Sequence, residues 1–425
     1  MLFWKCFLKK RIENYDRYVN ELSYKRPSFT ADVYNYLVKL NEEQFSNRKL
    51  SSYVSPGMGN NLSSKNLHNP DPSCELISCT SGSGSGLPFL VQRTVARHIR
   101  LTMCIGKGRF GEVWKATCQG ETVAVKIFSS RDEASWARET EVYNTGLLRH
   151  PNLLAYYASD MISRGGCTQL WLITAYHANG SLHDFISHRS LKLQDGLRLA
   201  SSIAAGLAFL HTEIKGLHAK PSIAHRDLKS KNVLVMSDMT ACIADLGLAL
   251  VNLQSLPVGQ AFLNLSSSML SSGVISHHLP FEVYQAADIY AMALVFWELA
   301  RCTQGITSDF VEGYQIPFYD MVPPDPTFSQ MRDIVCGNNY DNVHCRPRIY
   351  QRWLDDTYLS CYAQVIQECW HDDWSVRLSA LRVRKRLGQI EDAVRQSLVR
   401  KRGENIPSNV NELSVLLTED PETLA

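Results

Sequence analysis

The densest chemistry in the chain lies in His225-Arg226-Asp227-Leu228-Lys229-Ser230-Lys231-Asn232. Asp227 offers a carboxylate that can accept or orient a hydroxyl proton, and Lys229 an ammonium that can neutralise charge on a phosphate in transfer. Asn232 adds an amide oxygen, a hard donor suited to Mg²⁺. Asp245 follows thirteen residues later, in Asp245-Leu246-Gly247, and supplies a second oxygen for such an ion. Upstream, Gly106-Lys107-Gly108-Arg109-Phe110-Gly111-Glu112-Val113 is a glycine-rich loop. Its backbone amides can approach phosphate oxygens without Cβ clashes. Lys126 stands fifteen residues after Gly111, placed to hold phosphates, and needs an acid to fix its direction. Glu139 is the choice over Glu141, because residues two apart do not share a helix face. Each motif alone has a plainer reading: a surface turn, a helix cap, a solvated ion pair. Together, in this order and spacing, they point to phosphoryl transfer from a nucleotide to a hydroxyl.

The elements that must position these groups are legible too. Residues 123–128 are short, apolar and β-branched, as a buried strand requires. The glycine-rich loop is therefore flanked by strands, whereas a dinucleotide-binding fold would follow it with a helix. Residues 131–148 read as a helix, with Trp136, Glu139, Val142 and Tyr143 at helical spacing. Residues 169–176 read as another strand, and 191–211, 287–301 and 358–371 as helices. A strand-rich small lobe before a helical large lobe is an α+β layout. Asp288 opens an apolar helix and reads as a buried group bonding the backbone near Asp227; Cys369, Trp370 and Arg377 read as core.

The bulk numbers fit. The chain has 425 residues, 45% apolar and 20% charged, with a formal net charge of +2. That gives ordinary globular composition and no electrostatic case for nucleic acid as a partner. Twelve cysteines include no CxxC pair and no zinc spacing, which reads as reduced thiols. Residues 1–8, MLFWKCFL, are too few to span a bilayer and are followed by Lys9, Lys10 and Arg11. Apolar then basic is the order at the cytoplasmic end of a membrane helix; the other reading is the start of an incomplete chain. Residues 46–86 are rich in Ser, Asn, Gly and Pro and read as a linker.

The ordered set GxGxxGxV, Val-Ala-Val-Lys126, HRDLKxxN and Asp-Leu-Gly247 resembles that of protein kinases, and Lys229 is the choice of their serine/threonine class. TSGSGSGLPFLVQRT, residues 80–94, resembles the GS region of TGF-β/BMP type I receptors. The resemblance, over about residues 80–395, implies a two-lobed protein kinase fold using ATP with Mg²⁺ or Mn²⁺. Nucleotide binding would fall to Gly106, Lys107, Gly108, Gly111, Val113, Ala124, Lys126, Thr174, Tyr176, His177, Asn232 and Asp245. Asn232 and Asp245 would hold the metal; Asp227, Lys229, Lys126 and Glu139 would carry catalysis. It further implies phosphorylation of Thr80, Ser81, Ser83 and Ser85 by a type II receptor, an FK506-binding immunophilin at Leu87-Pro88, and receptor-regulated Smads as substrates. Residues 158–164, ASDMISR, correspond to the substrate-selecting loop and resemble the BMP-responsive, activin-receptor-like branch, including the Saxophone type. The domains implied are 1–11 as the end of a membrane helix, 12–72 juxtamembrane linker, 73–99 GS region, 100–395 kinase domain and 396–425 polar tail, at the cell membrane.

One stretch departs from the family. Residues 246–287 contain neither a Val-Gly-Thr run nor Ala-Pro-Glu, and hold one acid, Glu282, with no Lys, Arg or Thr. Arg377, the expected partner of the missing Glu, would then lack its acid. Two explanations compete: a mis-spliced exon edge, or a weak or inactive kinase acting as a binding competitor. The intact phosphate and metal residues favour the first.

Overall fold

The computed structural model describes residues 95–401 apart from 109–110, 146–147, 165–166, 216–219, 253–279 and 337–344. The expectations for residues 1–94, among them Thr80, Ser81, Ser83, Ser85 and the Leu87-Pro88 site, lie outside the described residues.

The small lobe is a five-stranded antiparallel sheet in the order β1-β2-β3-β5-β4. Its strands are β1 (Ile99–Gly108), β2 (Gly111–Cys118), β3 (Glu121–Phe128), β4 (Tyr156–Arg164) and β5 (Cys167–Ala175). Side chains alternate across a strand, so β3 and β5 serve two cores at once. Val123, Val125, Trp171 and Ile173 pack with Ala96, Ile99 and Ala116 on one face. Phe128, Leu170 and Leu172 join the large core that continues into the helical lobe. Helix α1 (Glu133–Asn144) lies against that second face, its Trp136 Nε1 donating to the Trp171 carbonyl at 3.0 Å. It stops short of the expected residue 148, because Thr145 turns to extended geometry and its hydroxyl caps the Glu141 carbonyl at 2.8 Å.

Residues 158–164 are strand rather than loop. Thr140 and Ser159 hydroxyls share a hydrogen bond of 2.8 Å, and Asp160 accepts from the amides of Ala96 and Met161 at 3.0 and 2.8 Å. Ser159 and Asp160 are buried, whereas Met161 and Ser163 are exposed. The segment that the resemblance gives as a loop is thus a strand whose Ser159 and Asp160 are interior groups with their own partners.

The large lobe begins with α2 (Leu182–Ser187) and α3 (Leu193–His211). Two short antiparallel pairs follow: β6 (Ile223–Ala224) with β9 (Leu250–Val251), and β7 (Val233–Val235) with β8 (Ala241–Ile243). Helices α4 (Phe281–Cys302), α5 (Phe328–Val335), α6 (Gln351–Asp355), α7 (Thr357–Cys369) and α8 (Ala380–Lys401) complete it. Helix α4 starts earlier than residue 287 and is apolar nearly all round, as a helix wrapped by others must be. Asp288 therefore lies inside the helix, two turns from its start. The polar tail expected from residue 396 begins later, because α8 continues to Lys401. Val383, Leu387, Ile390 and Val394 recur at helical spacing and are buried, with Leu398 packed next in line. Among the described residues, no helix is long and apolar enough to cross a membrane.

Candidate active site

The glycine-rich hairpin is set by β1 and β2, with Gly106 opposite Val113 and Gly108 opposite Gly111. Gly111 has φ +140°, and a Cβ there would meet the Ile127 carbonyl oxygen at 1.9 Å. Only glycine closes this turn. Lys107 pairs with Glu112 across it at 3.0 Å, and Glu112 also accepts from Trp114 Nε1 at 3.0 Å. Val113 faces Lys126 in the next strand pair, and Ala124 faces Thr174 in the one after. Thr174 is buried; beyond β5, Tyr176 lies beneath Lys115 Nζ, 5.0 Å from its ring centroid. His177 accepts the Gly180 amide through its carbonyl at 3.2 Å, and burial pulls its imidazole below the usual range.

Lys126 joins the two lobes. Its Nζ donates to Glu139 Oε2 at 2.8 Å and to Asp245 Oδ1 at 2.9 Å. Glu139, on α1, is 2% exposed, so the sequence choice between it and Glu141 has a geometric counterpart. Burial pulls the Lys126 ammonium down, but the two carboxylates outweigh it and hold the group charged. Burial pushes the Glu139 carboxyl up against the pull of Lys126. Burial raises Asp245 as well, yet Lys126 leaves it below the usual carboxylate range. Asp245 has φ +65°, a strained backbone that turns its side chain toward Lys126.

The loop between β6 and β7 is suspended from α4. Asp288, fully buried, accepts from the amides of His225 and Arg226 at 2.7 and 2.8 Å and bonds His211 Nε2 at 3.0 Å. His225 in turn bonds the Ala244 carbonyl at 3.0 Å, tying this loop to Asp245. Lys229 Nζ meets Asp227 Oδ2 at 2.6 Å. Asn232 Nδ2 donates to the Asp227 carbonyl at 2.9 Å and to its Oδ2 at 3.1 Å. With its amide nitrogen so engaged, Asn232 keeps its oxygen for another ligand. The donor set fits Mg²⁺, which takes one or two protein oxygens and completes its shell with phosphate and water. Among the described residues there is no group of three or more His, Cys, Asp or Glu able to hold a metal alone.

Sequence reasoning missed two supports. His211, closing α3, partners Asp288, and its only signal is its place at the helix end. Tyr143 and Tyr156 stack with ring centroids 5.0 Å apart and planes 8° apart, tying α1 to β4. Their pairing spans two elements and leaves no local pattern. The expected orphan at Arg377 is also corrected. Its Nε and Nη1 donate to the His371 and Ala286 carbonyls at 2.8 Å each, and its guanidinium lies 5.1 Å from the Tyr290 ring centroid. Backbone carbonyls and an aromatic face, invisible to motif comparison, receive the guanidinium.

A Lys bridging two carboxylates, a glycine hairpin above it and an Asp-Lys-Asn loop below define a protein kinase catalytic core. Residues 99–387 match the family described as "Protein tyrosine and serine/threonine kinase", and residues 73–97 match "Transforming growth factor beta type I GS-motif". The chain is 54% identical to "Activin receptor type-1-like" of Mus musculus over 318 residues, 73% of this chain and 62% of that one. It is 52% identical to "Activin receptor type-1" of Homo sapiens over 323 residues, 75% of this chain and 62% of that one. The Gallus gallus "Activin receptor type-1" gives 52% over 323 residues, covering 75% and 63%. The chain thus spans somewhat over three fifths of the length of these relatives. It belongs to the protein kinases, as a TGF-β type I receptor kinase with a GS motif.

Proposed function

We propose that this chain is the cytoplasmic part of a membrane receptor serine/threonine kinase that transfers the γ-phosphate of ATP to BMP-type receptor-regulated Smads. The observation that carries the reading is Lys126 held between Glu139 and Asp245 at 2.8 and 2.9 Å, which closes the two lobes on one another. Gly106, Lys107, Gly108 and Gly111 cover the phosphates; Val113, Ala124, Thr174, Tyr176 and His177 enclose the base. Asn232 and Asp245 hold Mg²⁺, which when bound neutralises charge on the phosphates. Asp227 orients the acceptor hydroxyl and takes its proton. Lys229, already 2.6 Å from Asp227, holds the transferred group's charge in line. The reaction asks mainly for positioning, which Asp288 supplies from below.

Regulation follows the GS motif. A type II receptor phosphorylates Thr80, Ser81, Ser83 and Ser85, each phosphate adding close to two negative charges. An FK506-binding immunophilin covers the unmodified segment at Leu87-Pro88. The test is Smad-tail phosphorylation by the purified chain before and after treatment with a type II receptor kinase. An increase that Ala substitution at all four positions removes is expected; equal rates before and after stoichiometric modification would sink this regulation.

A second reading rests on residues 246–287, which carry one acid and no Lys, Arg or Thr. Under it the chain binds type II receptors or Smads without transferring phosphate. Absence of transfer with normal ATP binding would favour it.

A further inference from the structure

Strand β2 carries a lysine on the nucleotide side of the sheet that the mechanism above leaves unused. Side chains alternate along a strand, and the pairing of β2 with β3 runs in unbroken register from Glu112 to Cys118. Ala116, Val123, Val125 and Ile173 pack into the small-lobe core and so mark one face. Val113, Lys115, Ala124, Lys126 and Thr174 therefore share the other, with Lys115 opposite Ala124 and Ala124 opposite Thr174. That is the face on which Lys126 meets Glu139 and Asp245. Lys115 lies two residues beyond Val113, and its Nζ is 5.0 Å from the centroid of the Tyr176 ring. Both residues are half-buried.

We infer that Lys115 is a positioning residue for the nucleotide: it clamps β2, the roof of the site, onto Tyr176 just beyond β5 and so closes the base site at its outer edge. The inference rests on the kinase reading, which gives Val113, Ala124, Thr174 and Tyr176 to the base. An ammonium over an aromatic face is attracted by the quadrupole of the ring. In the sheet β3 lies between β2 and β5, so this side-chain contact reaches across a strand to join roof and wall directly. Lys107 differs, because its pairing with Glu112 stays within one hairpin and its side chain is largely exposed. The Lys115 backbone is fixed in turn, since Thr102 Oγ1 donates to its carbonyl at 2.7 Å. Through that backbone the clamp holds the β1–β2 hairpin, with Gly106, Gly108 and Gly111 at its tip.

The size of the effect is bounded. A contact shifts an equilibrium only by the difference it makes between the two states, here the roof closed on the base site and the roof lifted. A partly exposed cation–π pair supplies enough for about a two- to fivefold change in nucleotide affinity. The groups that act on the transferred phosphate have partners of their own: Lys229 meets Asp227, and Asp245 meets Lys126. Turnover at saturating ATP should therefore keep its rate while the KM for ATP rises.

The experiment uses the full chain with Lys115→Met, Lys115→Arg, Tyr176→Leu and the double variant Lys115→Met/Tyr176→Leu. Calorimetry with the magnesium complex of a non-hydrolysable ATP analogue reads affinity. Lys115→Met should weaken binding by about two- to fivefold, and Lys115→Arg, which keeps a cation over the ring, should restore it. In the Tyr176→Leu background, Lys115→Met should add no further loss, because the two residues act as a pair. Hydrogen-exchange protection of the amides of residues 111–113 in the nucleotide-free chain should fall in Lys115→Met and not in Lys115→Arg. This second readout needs neither nucleotide nor transfer, so it decides the clamp even if the kinase reading fails. Unchanged affinity and protection in Lys115→Met overturn the inference. So does a loss that persists undiminished in the Tyr176→Leu background or exceeds about tenfold, since Lys115 would then act on the nucleotide itself and not through Tyr176.

Discussion

The two ends of this catalytic cleft differ in how closely they keep the family's residues. At the nucleotide end every group converges: Lys126 meets Glu139 and Asp245, Asp227 meets Lys229 and Asn232, and Asp288 anchors the loop between them. At the substrate end, the family's Val-Gly-Thr and Ala-Pro-Glu runs are replaced within residues 246–287. The described residues at the two ends of that range are still held. The β9 strand pairs with β6, the Asn252 amide donates to the Ser222 carbonyl at 2.9 Å, and Arg377 docks on the Ala286 carbonyl. The difference teaches that the two tasks are separable in this fold. The bonds that set this geometry, Lys126 with Glu139 and Asp245 and Asp288 with the His225 and Arg226 amides, use no side chain of residues 246–287.

The largest expected effect breaks the complete end. Lys126→Met leaves Glu139 and Asp245 without the cation between them and should cut phosphoryl transfer by about 10³-fold or more. Single-turnover phosphorylation measures it. A variant with ordinary turnover would remove Lys126 from the site.

Next is the anchor. Asp288→Ala deprives two buried amides and His211 of their acceptor and should cost about 3–5 kcal/mol, read by chemical denaturation. Turnover should fall with it, since Asp227 rides on the same loop. Loss of turnover without loss of stability would mean Asp288 acts in some way other than through those amides.

The contrast itself is sharpened by exchanging residues 250–280 for a family-type segment carrying Val-Gly-Thr and Ala-Pro-Glu. Turnover should rise by about one to two orders of magnitude, because substrate placement governs the rate, while nucleotide affinity stays within about twofold. Equal rates in the two proteins would show that the altered stretch is a tolerated variation. Failure of the parent to bind ATP would show that the two ends are coupled after all.

How much of this was legible beforehand follows the same division. The nucleotide end is written in short, ordered motifs, and the apolar, β-branched run of residues 123–128 placed Lys126 on a strand. Glu139 was separable from Glu141 by helix geometry alone. What escaped were contacts between distant elements: His211 with Asp288, Tyr143 with Tyr156, and the carbonyls that receive Arg377. Such pairings depend on how helices pack, and no local spacing encodes them. The extent of α8 to Lys401 was missed for another reason. Its last turns carry many charges, which mask the buried stripe from Val383 to Val394. Residues 158–164, taken as a loop from the family resemblance, are strand, with Ser159 and Asp160 buried on their own partners.

The smallest effect tests how finely the complete end is fitted. Tyr143 and Tyr156 stack at 5.0 Å, but their hydroxyls differ. Tyr156 Oη donates to Ser159 Oγ at 3.0 Å, whereas Tyr143 Oη is buried with no hydrogen-bond partner among the described residues. A buried hydroxyl without a partner has lost its water and gained nothing in return, so deleting it should not cost stability. Tyr143→Phe should therefore be neutral or stabilising by up to about 1 kcal/mol, and Tyr156→Phe destabilising by about 1 kcal/mol. The rings survive in both, so the stack that ties α1 to β4 stays, and Lys126 keeps Glu139. Turnover should remain within about twofold in each. Thermal unfolding of the two variants side by side makes the comparison. A Tyr143→Phe protein less stable than Tyr156→Phe would mean the Tyr143 hydroxyl has a bonded partner in solution, and the account of how α1 is held would have to include it.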